Sequence, residues 1–195
     1  MKTPMPRSVA AALAAFIAGF SVAAMADNDR DEGNRFSARL SGYNEVHSAG
    51  ANSERGAIST QARGSFRAVI DDRAETIHYE LSFEGLSGDV SQAHIHFGQR
   101  HTAGGIVVWL CQATSRSPVA TTPECGGPRA NTVTGTITAD QVITVTGQGI
   151  GAGGFDDLVR AIRAGAAYAN VHSATFGPGE IRGQIQRGDR GHNDD

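Results

Sequence analysis

The stretch Thr76-Ile77-His78-Tyr79-Glu80-Leu81-Ser82-Phe83-Glu84 decides the fold class. Ile77, Tyr79, Leu81 and Phe83 alternate with His78, Glu80 and Ser82. A period of two sends all the apolar side chains to one face of an extended chain and the polar ones to the other. The same alternation appears at Phe36, Ala38 and Leu40 against Ser37 and Arg39, and at Ile181 and Ile185 against Arg182 and Gln184. Further strands are expected at Ser65–Ile70, Gln92–His96, Ile106–Cys111, Thr132–Thr138, Val142–Thr146 and Ala167–His172. Gly-, Asn- and Asp-rich turns separate them at short intervals, the pattern of an antiparallel sandwich or small barrel.

One segment departs from this period. Phe155, Leu158, Val159 and Ile162 fall at i, i+3, i+4 and i+7, with Asp156 and Asp157 early, Arg160 and Arg163 late, and Gly165 just after. That is a short amphipathic helix with charges matched to its dipole and a glycine stop. The expectation is an all-β domain with one short helix.

Composition narrows the functional classes. The chain has 195 residues, 39% hydrophobic and only 6% aromatic, with 25 glycines, so its core must use small and β-branched side chains. The net charge of −3, without a block of Lys or Arg, argues against nucleic acid and anionic membranes as partners. Lys2 and Arg7, an apolar run from Val9 to Val22 and Ala24-Met25-Ala26 read as an export signal over residues 1–26, cleaved after Ala26. The run is shorter than the ~20 residues a spanning helix needs, so no membrane span is expected after cleavage. The short signal and its Ala-x-Ala end point to a periplasmic or secreted bacterial protein. Residues 27–35 are expected to be a flexible lead-in, 36–187 the domain and 188–195 a disordered tail.

Export gives the two cysteines a meaning. In an oxidising compartment Cys111 and Cys125 are expected to form a disulfide around the Ser-, Thr- and Pro-rich excursion Gln112–Glu124. Without a CxxC motif they carry little sign of metal or redox chemistry.

The candidate chemistry lies in histidines. His94 and His96 flank Ile95, and on a strand positions i and i+2 project side by side. His172 ends the strand Tyr168-Ala169-Asn170-Val171-His172, sharing a face with Tyr168 and Asn170. If the two strands are neighbours, three imidazoles meet, a donor set that suits copper or zinc and serves hard cations poorly. Glu180 is a candidate to accept an imidazole N–H or to bind the ion, and Asn170, Arg182 and Glu45 to orient ligands or close the site. Glu180 and Arg182 are also candidates to pair with each other or with Glu45. His101 reads as a solvated loop residue, with a fourth ligand as the alternative; His47, His78 and His192 receive no role. The competing reading makes the histidines a packing network that hydrogen-bonds carbonyls and carboxylates. No G-x-S-x-G, H-E-x-x-H, P-loop or dinucleotide fingerprint is present, so the chain reads as a binding module more than an enzyme.

These residues carry a resemblance. Leu40-Ser41-Gly42-Tyr43-Asn44-Glu45-Val46, Ala93-His94-Ile95-His96, Tyr168-Ala169-Asn170-Val171-His172-Ser173 and Gly179-Glu180-Ile181-Arg182-Gly183-Gln184-Ile185 stand in the order and spacing of the CHRD domain. The sequence resembles that family, in its bacterial exported form, over the whole mature domain. The resemblance implies an immunoglobulin-like antiparallel β-sandwich and no shared reaction. His47-Ser48 replace the family's usual prolines, and Gly98-Gln99-Arg100-His101 its usual Gly-Pro-Ala stretch. His94-Ile95-His96-Phe97-Gly98 also looks like the copper-ligand strand of copper/zinc superoxide dismutases, a likeness limited to those residues. Three functions therefore stand open: an exported copper- or zinc-binding module, a structural or protein-binding module of the cell envelope with an envelope or extracellular partner, and, with least support, a copper enzyme.

Overall fold

A computed structural model describes residues 33–46 and 56–188. The signal, most of the N-terminal lead-in, the tail after Gly188, His47 and His192 lie outside them. Among the described residues nine strands run in chain order: β1 (Arg35–Ser41), β2 (Arg63–Asp71), β3 (Thr76–Glu84), β4 (Val90–Phe97), β5 (Gly105–Gln112), β6 (Asn131–Ile137), β7 (Ala167–Ser173), β8 (Ile181–Gln184) and β9 (Gln186–Arg187). The helix α1 (Phe155–Arg163) sits between β6 and β7. All these strand pairings are antiparallel, in the order β5-β4-β7-β8-β1-β2-β3-β6 with β9 added to β1.

The alternation along β3 places Ile77, Tyr79, Leu81 and Phe83 inside. They meet Phe66 and Ile70 of β2, Ile95 of β4, Leu110 of β5 and Ile181 of β8 in one core. Each such side chain contributes about 1.5–3 kcal/mol by leaving water. Across this interior the Tyr79 hydroxyl donates to Leu110 O at 2.6 Å, joining β3 to β5. The chain is all-β and antiparallel with one short helix, as the periodicity predicts. Backbone bonding runs through all nine strands, so they form one curled, nearly closed sheet. A division into two sheets is not visible in that pairing.

Helix α1 buries Phe155, Leu158, Val159 and Ile162 and ends before Gly165, whose φ of 66° a side chain would strain. The expected strand Val142–Thr146 does not form. Val142 is buried in the core, Ile143 N–H reaches Val107 O at 3.0 Å, and Val145 makes a single bridge to Ile150. Apolar alternation there serves a loop that covers the β5 edge, and the glycines after it turn the chain before a ladder can extend. Cys111 and Cys125 are joined in a disulfide, both fully buried. The closed loop corresponds to ~3 kcal/mol in the chain-entropy account.

Candidate metal centre

The site is made by two adjacent strands. Strand β7 pairs with β4 so that His96 lies opposite Tyr168, His94 opposite Asn170 and Gln92 opposite His172. On its other side β7 pairs with β8, Asn170 facing Arg182. The face carrying His94, His96, Tyr168, Asn170, His172 and Arg182 is opposite the one carrying Ile95, Ala169 and Val171, so β4 and β7 are buried on both sides. Between β4 and β5 the register slips between Ala93 and His94 and again between Ile95 and His96. Such bulges re-aim side chains, and these two flank the histidines.

The three imidazoles meet. Ring centroids are 4.8 Å apart for His94 and His172, 5.4 Å for His94 and His96, and 6.5 Å for His96 and His172. His172 Nδ1 stands 2.7 Å from Gly177 O, and His96 Nδ1 stands 2.8 Å from Gly104 O. A carbonyl only accepts, so both Nδ1 atoms carry the proton and both Nε2 atoms keep a lone pair. His94 Nδ1, 3.1 Å from His172 Nε2, therefore donates to it in the metal-free protein. That leaves the buried Nε2 atoms of His94 and His96 without a hydrogen bond.

Electrostatics agree with neutral rings. Burial, reinforced by the neighbouring His172 and His96, drives the His94 pKa down to about 2. Burial likewise lowers His96 to about 4 despite its bond to Gly104, and lowers His172 despite its bond to Gly177.

Aromatic rings enclose the cluster. Trp109 of β5 meets His94 edge to face at 4.3 Å, and Tyr168 stacks on His96 at 4.8 Å with an angle of 3° between the ring planes. The Arg182 guanidinium carbon sits 3.3 Å from the Tyr168 ring centroid. Because β4 and β8 flank β7 from opposite sides, Tyr168 is layered between His96 and Arg182. The segment from Gly98 to Gly105 forms a roof held by Arg182 to Gln99 O at 3.1 Å, Gln184 to Gly98 O at 2.9 Å, and Gly104 N–H to the Tyr168 hydroxyl at 3.1 Å. Gly104 is required there, since a Cβ would fall 1.8 Å from Phe97 O. His101, at φ 65°, is exposed on this roof.

The remaining expected residues divide. The Asn170 side-chain amide lies 3.2 Å from His172 Nε2, and with that nitrogen holding a lone pair it is the amide N–H that faces the ring. Glu45 is buried beside Gly179, where an added Cβ would meet its Oε2 at 2.7 Å, and its charge acts on Arg182. Glu180 turns to hydroxyls: its Oε1 accepts from Thr60 Oγ1 at 2.7 Å, Ser87 N at 2.9 Å and Ser87 Oγ at 2.7 Å. Burial works against its ionisation, but these bonds and one from Ser173 outweigh it and hold the carboxyl below the usual range. Sequence reading missed the roles of Tyr168 and Trp109 against the imidazoles. The signal for Tyr168 was its i, i+2 relation to Asn170 and i, i+4 relation to His172.

Comparison with protein families matches the CHRD domain over residues 36–185, from the first core residue of β1 to the last of β8 and its neighbour Ile185. The chain belongs to the CHRD-domain family. No curated protein and no solved structure gives a significant match. The three clustered histidines His94, His96 and His172, with Glu45, Asn170, Glu180 and Arg182, fall inside the matched region of this CHRD domain. Among the described residues of the CHRD domain no helix is long and apolar enough to cross a membrane.

The histidines pass a test of fit to an ion. One nitrogen from each lies within 4.8 Å of the others. Metal–nitrogen bonds of ~2.0–2.1 Å set neighbouring nitrogens ~3.3–3.5 Å apart. The His94–His172 pair, at 3.1 Å, already has nearly that spacing. The donors are three neutral nitrogens, a set that suits copper and zinc.

Proposed function

We propose that this CHRD domain is an exported metal-binding module that holds copper or zinc through His94, His96 and His172. The observation that carries the reading is the buried convergence of three neutral imidazoles, with the Nε2 of His96 lacking a hydrogen bond. An unpartnered buried polar atom costs about 1–3 kcal/mol, which coordination would recover at that nitrogen. The backbone carbonyls of Gly104 and Gly177 fix two rings with their lone pairs inward, the role that outer partners play at metal sites. His94 Nδ1 would be the third donor, replacing its proton's contact with His172. A bound copper or zinc ion would act as a Lewis acid or, for copper, as a one-electron centre; the chain's own groups bind it, orient it and exclude water.

Asn170, Arg182 and Glu45 support the site from its margins in this reading, and Glu180 ties the loops below it. The export pattern of residues 1–26 and the Cys111–Cys125 disulfide support a periplasmic or secreted location. A second reading, a packing network without metal in an envelope module that binds another protein, is favoured by the His94–His172 hydrogen bond. Isothermal titration of the folded protein with Cu2+ and Zn2+ separates the two. Saturable binding of one ion, lost in His96→Ala, supports the metal site, and no binding supports the network.

A further inference from the structure

The metal-binding reading leaves the charge of the ion open, and any preference among ions rests on that reading. The surroundings of the site bear on the choice. Among the described residues the cluster of possible donors contains no carboxylate or thiolate. Its walls are the rings of Trp109 and Tyr168, and His94, His96 and His172 are 0%, 8% and 5% exposed. The fixed positive charge of Arg182 is stacked behind Tyr168, with Glu45 as its carboxylate neighbour outside the donor cluster.

Moving an ion from water into such a place has a Born cost that grows as the square of its charge, about fourfold from a monovalent to a divalent ion of equal size. Divalent ions in proteins usually offset that cost with thiolate or carboxylate donors or a retained water. Three neutral nitrogens carry no charge to offset it, and of the two fixed charges near the site Arg182 disfavours a divalent ion while Glu45 favours one. Soft monovalent d10 ions accept two or three nitrogen donors.

We propose that the site selects a soft monovalent cation, Cu+ with Ag+ as its stand-in, over Zn2+ and Cu2+, because three neutral imidazoles are enclosed by Trp109 and Tyr168 with Arg182 stacked behind them and no anionic donor among them. Sulfur does not compete for that ion within the domain. Both cysteines are in the disulfide, and the three methionines are Met1, Met5 and Met25.

Ag+ and Zn2+ are both d10 ions without ligand-field stabilisation, so comparing them tests charge and softness together. The purified protein is loaded with Zn2+ and titrated with Ag+, zinc release being read by a chromophoric chelator and bound ions by native mass spectrometry. The expected result is replacement of one Zn2+ by one Ag+ per chain at near-stoichiometric addition, or binding of Ag+ where Zn2+ is not retained. Arg182→Gln narrows the preference by about tenfold, the effect of a unit charge ~10 Å away at an effective dielectric constant of ~20; Arg182→Lys keeps it. Zn2+ held against excess Ag+ overturns the monovalent preference and leaves metal binding standing. Neither ion in a folded chain overturns both. Equal Ag+ uptake by a folded His94→Ala/His96→Ala variant places the ion elsewhere and also overturns the inference.

Discussion

His94 Nδ1 and His172 Nε2, on neighbouring antiparallel strands, stand 3.1 Å apart inside a buried cluster that contains no carboxylate. The residues are 78 positions apart in the chain. Only the pairing of β4 with β7 brings them together, and the backbone carbonyl of Gly177 decides which nitrogen of His172 faces inward.

Removing that contact has a two-part cost. His172→Ala leaves His94 without its hydrogen bond and opens a cavity, so the metal-free variant should lose about 2–4 kcal/mol in urea denaturation. The wild type should gain ~2.7 kcal/mol at a metal concentration 100 times Kd, and the variant none. An equal metal-induced gain in both would remove His172 from the ligand set.

Acid should destabilise the metal-free protein through the same rings. The unfolded histidines take up protons near pH 6.5, whereas folded His96 does so near pH 4 and His94 near pH 2. Below pH 6.5 the unfolded state therefore binds more protons, and stability falls as pH falls, down to about pH 4 for His96 and further for His94. The slope is up to about 1.4 kcal/mol per pH unit for each ring. Urea midpoints measured from pH 7 to pH 4.5 should drop steeply in the wild type and less in His96→Ala; parallel curves would contradict the burial of neutral rings.

The roof should matter to binding without holding the fold. In Gly104→Ala the new Cβ would meet Phe97 O, so the segment must move away from His96 Nδ1 and the Tyr168 hydroxyl. Metal affinity should fall more than tenfold while the circular dichroism spectrum stays the same. Unchanged affinity would show that His96 needs no fixed tautomer.

Glu180 should behave differently from the histidines. Its carboxylate gathers Thr60 and Ser87 through Oε1, so Glu180→Ala should cost about 2 kcal/mol or more of stability. The folded variant should still bind one ion per chain. Loss of metal with stability intact would return Glu180 to the site.

The strands were legible wherever one face is buried and the other wet, as at Ile77, Tyr79, Leu81 and Phe83. His94-Ile95-His96 was legible for the same reason, since i and i+2 share a face. What remained hidden depended on long-range pairing or on backbone atoms. Nothing local distinguishes Val142–Thr146, which covers the β5 edge, from a ladder strand. Glu180 lies two residues from Arg182, but hydroxyls from Thr60 and Ser87, distant in the chain, claim its carboxylate. The carbonyls of Gly104 and Gly177 have no side-chain signature, although they orient two of the three imidazoles.

The central claim is that these imidazoles hold an ion, and metal content tests it most directly. Protein exposed to copper and zinc, freed of loosely bound ions and kept oxidised, is analysed beside a His94→Ala/His96→Ala variant shown to be folded. The account predicts close to one ion per chain in the parent and none in the variant. No ion in the parent, or the same content in both, would contradict it.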